Sequence, residues 1–171
     1  VRVYRPEFRA PLRAPLIAAI GTKPPQSGEW RQYARSIDTT GGGFDTGSGG
    51  SVTFRVRTVG SEREVECYIA WGGAGLSAGT GALVIPISEL DTLKLVGSQM
   101  KDVGGSLDVI FLVSARDGAS PIAGFVMNGN AEDAATSVMV PAQTALVAAL
   151  GAPTSGRTWA LKFSVPVRAV E

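Results

Sequence analysis

Ser51-Val52-Thr53-Phe54-Arg55-Val56-Arg57-Thr58-Val59-Gly60-Ser61-Glu62-Arg63-Glu64-Val65-Glu66-Cys67-Tyr68-Ile69-Ala70-Trp71 decides the fold. Two runs of alternating residues, Ser51–Val59 and Arg63–Trp71, flank Gly60-Ser61. Glycine at the first central position suits a two-residue type II′ turn, whose twist matches that of paired strands. With that turn, facing residues have numbers that add to 121. Arg57 then meets Glu64 and Arg55 meets Glu66 on one face, while Val56 meets Val65, Phe54 meets Cys67 and Val52 meets Ile69 on the other. A slip of one residue would break both sets together, so charge pairing and apolar pairing select one register. The hairpin is half buried, and the charges of its outer face neutralise each other.

Around this hairpin the chain has 171 residues, enough for one domain with a substantial core. It holds 22 glycines and only 18% charged residues, with turn signals at short intervals, a composition that favours all-β structure over disorder. Histidine is absent from the sequence, which removes the commonest general base and metal ligand and the Ser/His and Cys/His nucleophile pairs. Cys67 is the single cysteine, falls on the apolar face of the hairpin, and reads as a small core residue. The acids are scattered without an EF-hand spacing, so neither a metal nor a cofactor is expected. No apolar run reaches the ~18 residues of a membrane span. Val1 leads straight into arginines, with no signal segment visible.

Residues 1–25 differ from the remainder. They carry five basic residues against Glu7, a net +4, whereas the rest holds eleven basic and fourteen acidic residues, a net −3. A tandem repeat runs through them, Arg9-Ala10-Pro11-Leu12 followed by Arg13-Ala14-Pro15-Leu16. Prolines 6, 11 and 15 deny backbone donors and bias their predecessors to extended geometry, so the segment reads as an extended arm. Its apolar residues still need cover. Arg2, Tyr4, Arg5, Phe8, Arg9, Leu12, Arg13 and Leu16 are the candidate docking residues. Basic arms also neutralise phosphates, but five bases diluted by prolines on a chain of net +1 make a weak nucleic-acid footprint.

Residues 26–171 read as one β domain. Trp30–Ile37, Ala82–Ile87, Leu107–Ser114, Pro121–Met127, Thr136–Val140 and Trp159–Val167 are further strands, with Asp117-Gly118 as a second hairpin signal and Pro166 marking an edge. Ser88 is placed to cap a short helix from Glu89 to about Val96; Pro141–Leu150 reads as another, stopped by Gly151. Two glycine-rich loops, 39–50 and 72–81, are expected to stay mobile or to order against another chain, with Phe44, Asp45 and Leu76 as their candidate contacts. The fold class is therefore an all-β sandwich or jelly-roll-like barrel with one or two short helices in its connections and an extended N-terminal arm.

Within the first loop, Phe44-Asp45-Thr46-Gly47-Ser48 resembles the short signature of aspartic proteases, all-β enzymes in which paired aspartates share a proton and activate water. Loop 72–81 would then be the flap, and Leu95-Val96-Gly97 is similar to the family's later hydrophobic-hydrophobic-glycine element. The chain holds one such motif, so the resemblance implies a symmetric dimer contributing Asp45 twice. The competing reading of the same residues is an Asx-type turn. A P-loop ending in Gly-Lys-Ser/Thr is absent.

With few catalytic groups, a compact β body and an apolar arm of opposite charge, the sequence points to a non-enzymatic structural protein that self-assembles. A virion component such as a capsid, decoration or tail subunit (a phage protein, for example) is the expectation, its partners being other copies or other virion proteins and its place the assembled particle. The alternative is a soluble or secreted β-sandwich module that binds a glycan or protein through loops 39–50 and 72–81.

Overall fold

The computed structural model describes residues 28–91, 93–96, 106–132, 135–140 and 143–169. All eight candidate arm residues, with Gly97 and Pro141, lie outside them. The elements are β1 (Arg31–Ala34), β2 (Asp38–Thr39), β3 (Phe44–Asp45), β4 (Ser51–Val59), β5 (Glu62–Ala70), β6 (Ser77–Ala78), β7 (Leu83–Pro86), β8 (Leu93–Leu95), β9 (Ser106–Asp117), β10 (Ser120–Glu132), β11 (Ser137–Val140), α1 (Gln143–Leu150) and β12 (Arg157–Ala169). The fold is all-β: a curled antiparallel sheet forms a half-barrel, and β3 with β6 make a second, two-stranded sheet.

The β4–β5 ladder keeps the 121 register at every pair, from Ser51 opposite Ala70 to Val59 opposite Glu62. Gly60 sits at φ +61 while Ser61 stays at negative φ, the pattern of a type II′ turn. Strands β9 and β10 repeat the device one residue later than expected. Asp117 pairs with Ser120, so Gly118 (φ +56) and Ala119 form the turn and Asp117 belongs to the strand. Both strands run longer than the sequence signals suggest, and the register shifts between Pro121 and Ala123. Ile122 is the extra residue, a bulge placed where proline cannot donate to the ladder.

Strand order in the main sheet is β1-β4-β5-β12-β9-β10-β11-β7-β2, with β8 added to the far end of β12. The two end strands are consecutive in the chain. Arg35, Ser36 and Ile37 alone join β1 to β2, a link that spans at most about 14 Å. The expected single strand from Trp30 to Ile37 therefore breaks in the middle, because it has to pass from one edge of the sheet to the other. This passage holds the edges close and encloses the core.

Inside the curl lie Phe54 and Val56 of β4, Val65, Cys67 and Ile69 of β5, Phe111 and Val113 of β9, and Trp159, Leu161 and Phe163 of β12, all buried. Tyr33 stacks on Phe54 at 5.0 Å between ring centroids, Phe111 meets Phe163 at 4.8 Å, and Trp71 meets Trp159 edge-on at 5.0 Å. Leu146 and Leu150 of α1 close one side of the core, and Gly151 at φ +80 ends that helix as expected.

Two expectations are corrected. The helix from Glu89 does not form: Asp91 adopts φ +52, and Leu93–Leu95 is instead a strand paired with Val167, Arg168 and Ala169. The cap signal at Ser88 is overridden by tertiary contacts, since the Ser88 carbonyl and the Asp91 carboxylate both accept hydrogen bonds from Arg35. Pro166 does not mark a sheet edge, because β12 lies between β5 and β9. Pro166 falls at a junction, where pairing with β9 has ended at Lys162 and pairing with β8 begins at Val167, and its carbonyl accepts from Val96 N at 3.0 Å.

Candidate functional site

The outer face of the sheet is organised in rows, because antiparallel pairing sets one residue from each strand side by side. One row runs Gln32, Arg55, Glu66, Lys162, Leu112, Val126 across β1, β4, β5, β12, β9 and β10. Its first part is a charge ladder. Arg55 lies 3.4 Å and Lys162 3.2 Å from Glu66, whose carboxylate also accepts from the Tyr68 hydroxyl at 2.9 Å. One step along, Arg57 donates to Glu64 at 2.7 Å. That bond holds the Glu64 carboxyl below its ordinary value and raises Arg57. Trp30 covers the ladder, with the Arg57 guanidinium 4.7 Å, the Arg55 guanidinium 5.1 Å and the Lys162 ammonium 5.5 Å from its ring centroid. The described chain begins along the edge of β4, where Gly28 N donates to the Thr58 carbonyl at 2.8 Å.

The second part of the row is apolar. Ile110 is 61% exposed, Leu112 54% and Val126 61%, although β9 and β10 bury an equally apolar set on their other face. The next row, Tyr68, Ala160, Ser114, Gly124, is made of small residues beyond the tyrosine, and its low side chains leave a trough. This hollow measures about 460 Å³ and is walled by Glu66, Tyr68, Leu112, Arg116 and Lys162. On the opposite side of Leu112 lies a second hollow of about 380 Å³, walled by Arg57, Glu64, Ile110, Lys162 and Phe163. Leu112 and Lys162 are shared ridges between the two. Among the described residues, most of β10 also has no strand partner on its other edge, since β11 pairs with it only at Asn130.

Loops 39–50 and 72–81 order against each other. Gly73 N donates to Ser48 O at 2.7 Å, Gly72 N to Thr46 O at 2.8 Å, Ser48 N to Ala74 O at 3.0 Å, and Phe44-Asp45 pairs with Ser77-Ala78. Gly72 allows this closeness, because a Cβ there would collide with Gly50 N and Ser48 O. Phe44 packs 5.5 Å from the Trp71 ring, and Leu76 is half buried against the core. Asp45 is exposed, and its carboxylate accepts from Gly47 N at 2.8 Å, the bond of an Asx turn. Cys67 is fully buried, and burial raises its thiol far above the ordinary range.

Sequence reasoning placed the charge ladder and missed the apolar half of the face. Its visible signal is Val109-Ile110-Phe111-Leu112-Val113, an unbroken apolar run where a half-buried strand would alternate. Among the described residues no group of three acids and cysteines is placed to hold a metal, and no helix is long and apolar enough to cross a membrane. Comparison with protein-family models, curated proteins and solved structures finds no match to this chain.

Proposed function

We propose that this protein is a structural subunit that assembles with copies of itself, with a virion shell or tail as the setting that suits it. The observation that carries the reading is the outer face of β9 and β10, where Ile110, Leu112 and Val126 stand exposed beside a strand edge that is mostly unpaired among the described residues. Apolar side chains gathered on one face of an ordered sheet favour association, and an open edge adds backbone donors and acceptors to it. The opposite charges of residues 1–25 and the body suit contacts between copies. A binding module using loops 39–50 and 72–81 draws less support, since those loops direct Phe44 and Leu76 at their own core.

Light scattering on the purified chain behind size exclusion, at low and high salt, tests the reading. A mass several times the 17.7 kDa of one chain that falls as salt rises is the expected result. A monomer indifferent to salt at all accessible concentrations would overturn it.

A further inference from the structure

We propose that the tandem repeat Arg9-Ala10-Pro11-Leu12, Arg13-Ala14-Pro15-Leu16 of a neighbouring copy seats its two leucines in the two hollows that flank Leu112. This deepens the assembly reading by naming the segment and the surface.

Spacing is the first argument. Leu12 and Leu16 are four residues apart, which in an extended chain is about 13 Å with both side chains on one side. Ile110 and Ser114 are also four residues apart on one face of β9, about 13 Å along the strand. Ser114 floors the hollow on one side of Leu112 and Ile110 walls the hollow on the other. The spacing of the two leucines thus equals that of these two lining residues.

Chemistry is the second. Each hollow combines apolar lining, including Leu112 in both, with charged side chains, Glu66, Arg116 and Lys162 in one and Arg57, Glu64 and Lys162 in the other. Pro11 and Pro15 lack the N–H groups that pairing along the β10 edge would use, so the repeat suits side-chain docking on a sheet face. Asp108 is exposed on the same face as Ile110 and has no ion-pair partner among the described residues, which gives one arginine of the repeat a counter-charge. Position adds to this: the Trp30 ring lies over Arg55, Arg57 and Lys162, so the described chain begins beside the face that carries the hollows. A head-to-tail exchange of that kind lets every copy give one repeat and receive one.

The test is disulfide trapping in the full chain, where buried Cys67 is silent. Leu16→Cys and Leu12→Cys are each combined with Ser114→Cys, because the repeat can run in either direction along β9. Leu16→Cys with Leu90→Cys serves as the control, since Leu90 is 76% exposed away from the hollows. After mild oxidation, non-reducing gels of at least one Ser114 pair should show chains linked in twos and more, and the control should not. A link found only within single chains would overturn docking on a neighbour. No link from either Ser114 pair would overturn the docking surface itself, and light scattering on the same samples shows whether assembly survives by another route. As a second readout, Leu12→Ala with Leu16→Ala in one chain should raise the assembly midpoint at least about tenfold. An unchanged midpoint would count against the proposal.

Discussion

Arg35 grips Asp91 with both ends of its guanidinium, Nη1 to Oδ1 and Nη2 to Oδ2, each at 2.8 Å. Arg35 belongs to the short link between β1 and β2, and Asp91 to the connection between β7 and β8. The same Nη1 donates to the Ser88 carbonyl at 2.8 Å. One side chain therefore fastens the link between the sheet's edges to the segment that the sequence marks as helical. It also explains how Asp91 is kept at φ +52, a conformation that disfavours most side chains by about 1–2 kcal/mol.

Acid should loosen this fastening. Hydrogen bonds from Arg35 lower the pKa of Asp91, and the bond from Arg57 lowers that of Glu64. A depressed folded-state pKa stabilises fully above the unfolded value, about 4 for these groups, and the stabilisation is lost as pH falls through the folded value. Urea midpoints should fall from pH 7 to pH 3, and Asp91→Asn with Glu64→Gln should flatten that slope. A slope equal to that of the parent chain would remove both pairs from the account.

Core truncation should be severe. Phe54 is fully buried and stacked on Tyr33, so Phe54→Ala should cost about 3–5 kcal/mol in chemical denaturation. Leu112→Ala on the outer face should change stability far less, because 54% of that side chain is already exposed.

Both hairpin turns depend on glycine at positive φ. Gly60→Ala and Gly118→Ala should each destabilise by about 1 kcal/mol through left-handed backbone strain, since a Cβ at either position meets no neighbouring atom. Thermal melts of the single and double variants check this, and near-additive losses are expected because the turns are separate.

Asp45 offers a test with two outcomes. Asp45→Asn retains an oxygen that accepts from Gly47 N, so the fold should keep its melting temperature, whereas Asp45→Ala should lose roughly 0.5–1.5 kcal/mol with the turn. Any acid proteolysis by the parent chain that disappears in Asp45→Asn would instead assign the carboxylate a catalytic part.

Trp30 should report on the outer face. Trp30→Ala removes a ring from three cations and should cost about 0.5–1 kcal/mol at this partly exposed site. Selective loss of its fluorescence from the spectrum would show whether added salt frees the ring from the ladder.

The β4–β5 hairpin was legible because two independent constraints, Arg57 to Glu64 and Val56 to Val65, agree on one register. Strand order was not, because nothing in the letters of β12 says that it will lie between β5 and β9. Leu93-Lys94-Leu95 is too short for its alternation to be told from a helical turn, and the decisive contact comes from Arg35, 56 residues away from Asp91. The candidate face was half legible. Arg55 and Glu66 declare their pairing, whereas the run from Val109 to Val113 reveals two apolar faces without saying which one stays open.

The central place of β12 has a consequence for how the chain is made. Of the described strands β12 is the last to leave the ribosome, yet β5 and β9 can meet only through it. Until then the β4–β5 hairpin waits with one side of β5 bare, and β9 with β10 forms a separate ribbon exposed on the same terms. Folding must therefore include insertion of a strand between two pieces of the sheet, a slow long-range step during which a neighbouring chain can supply the missing strand instead.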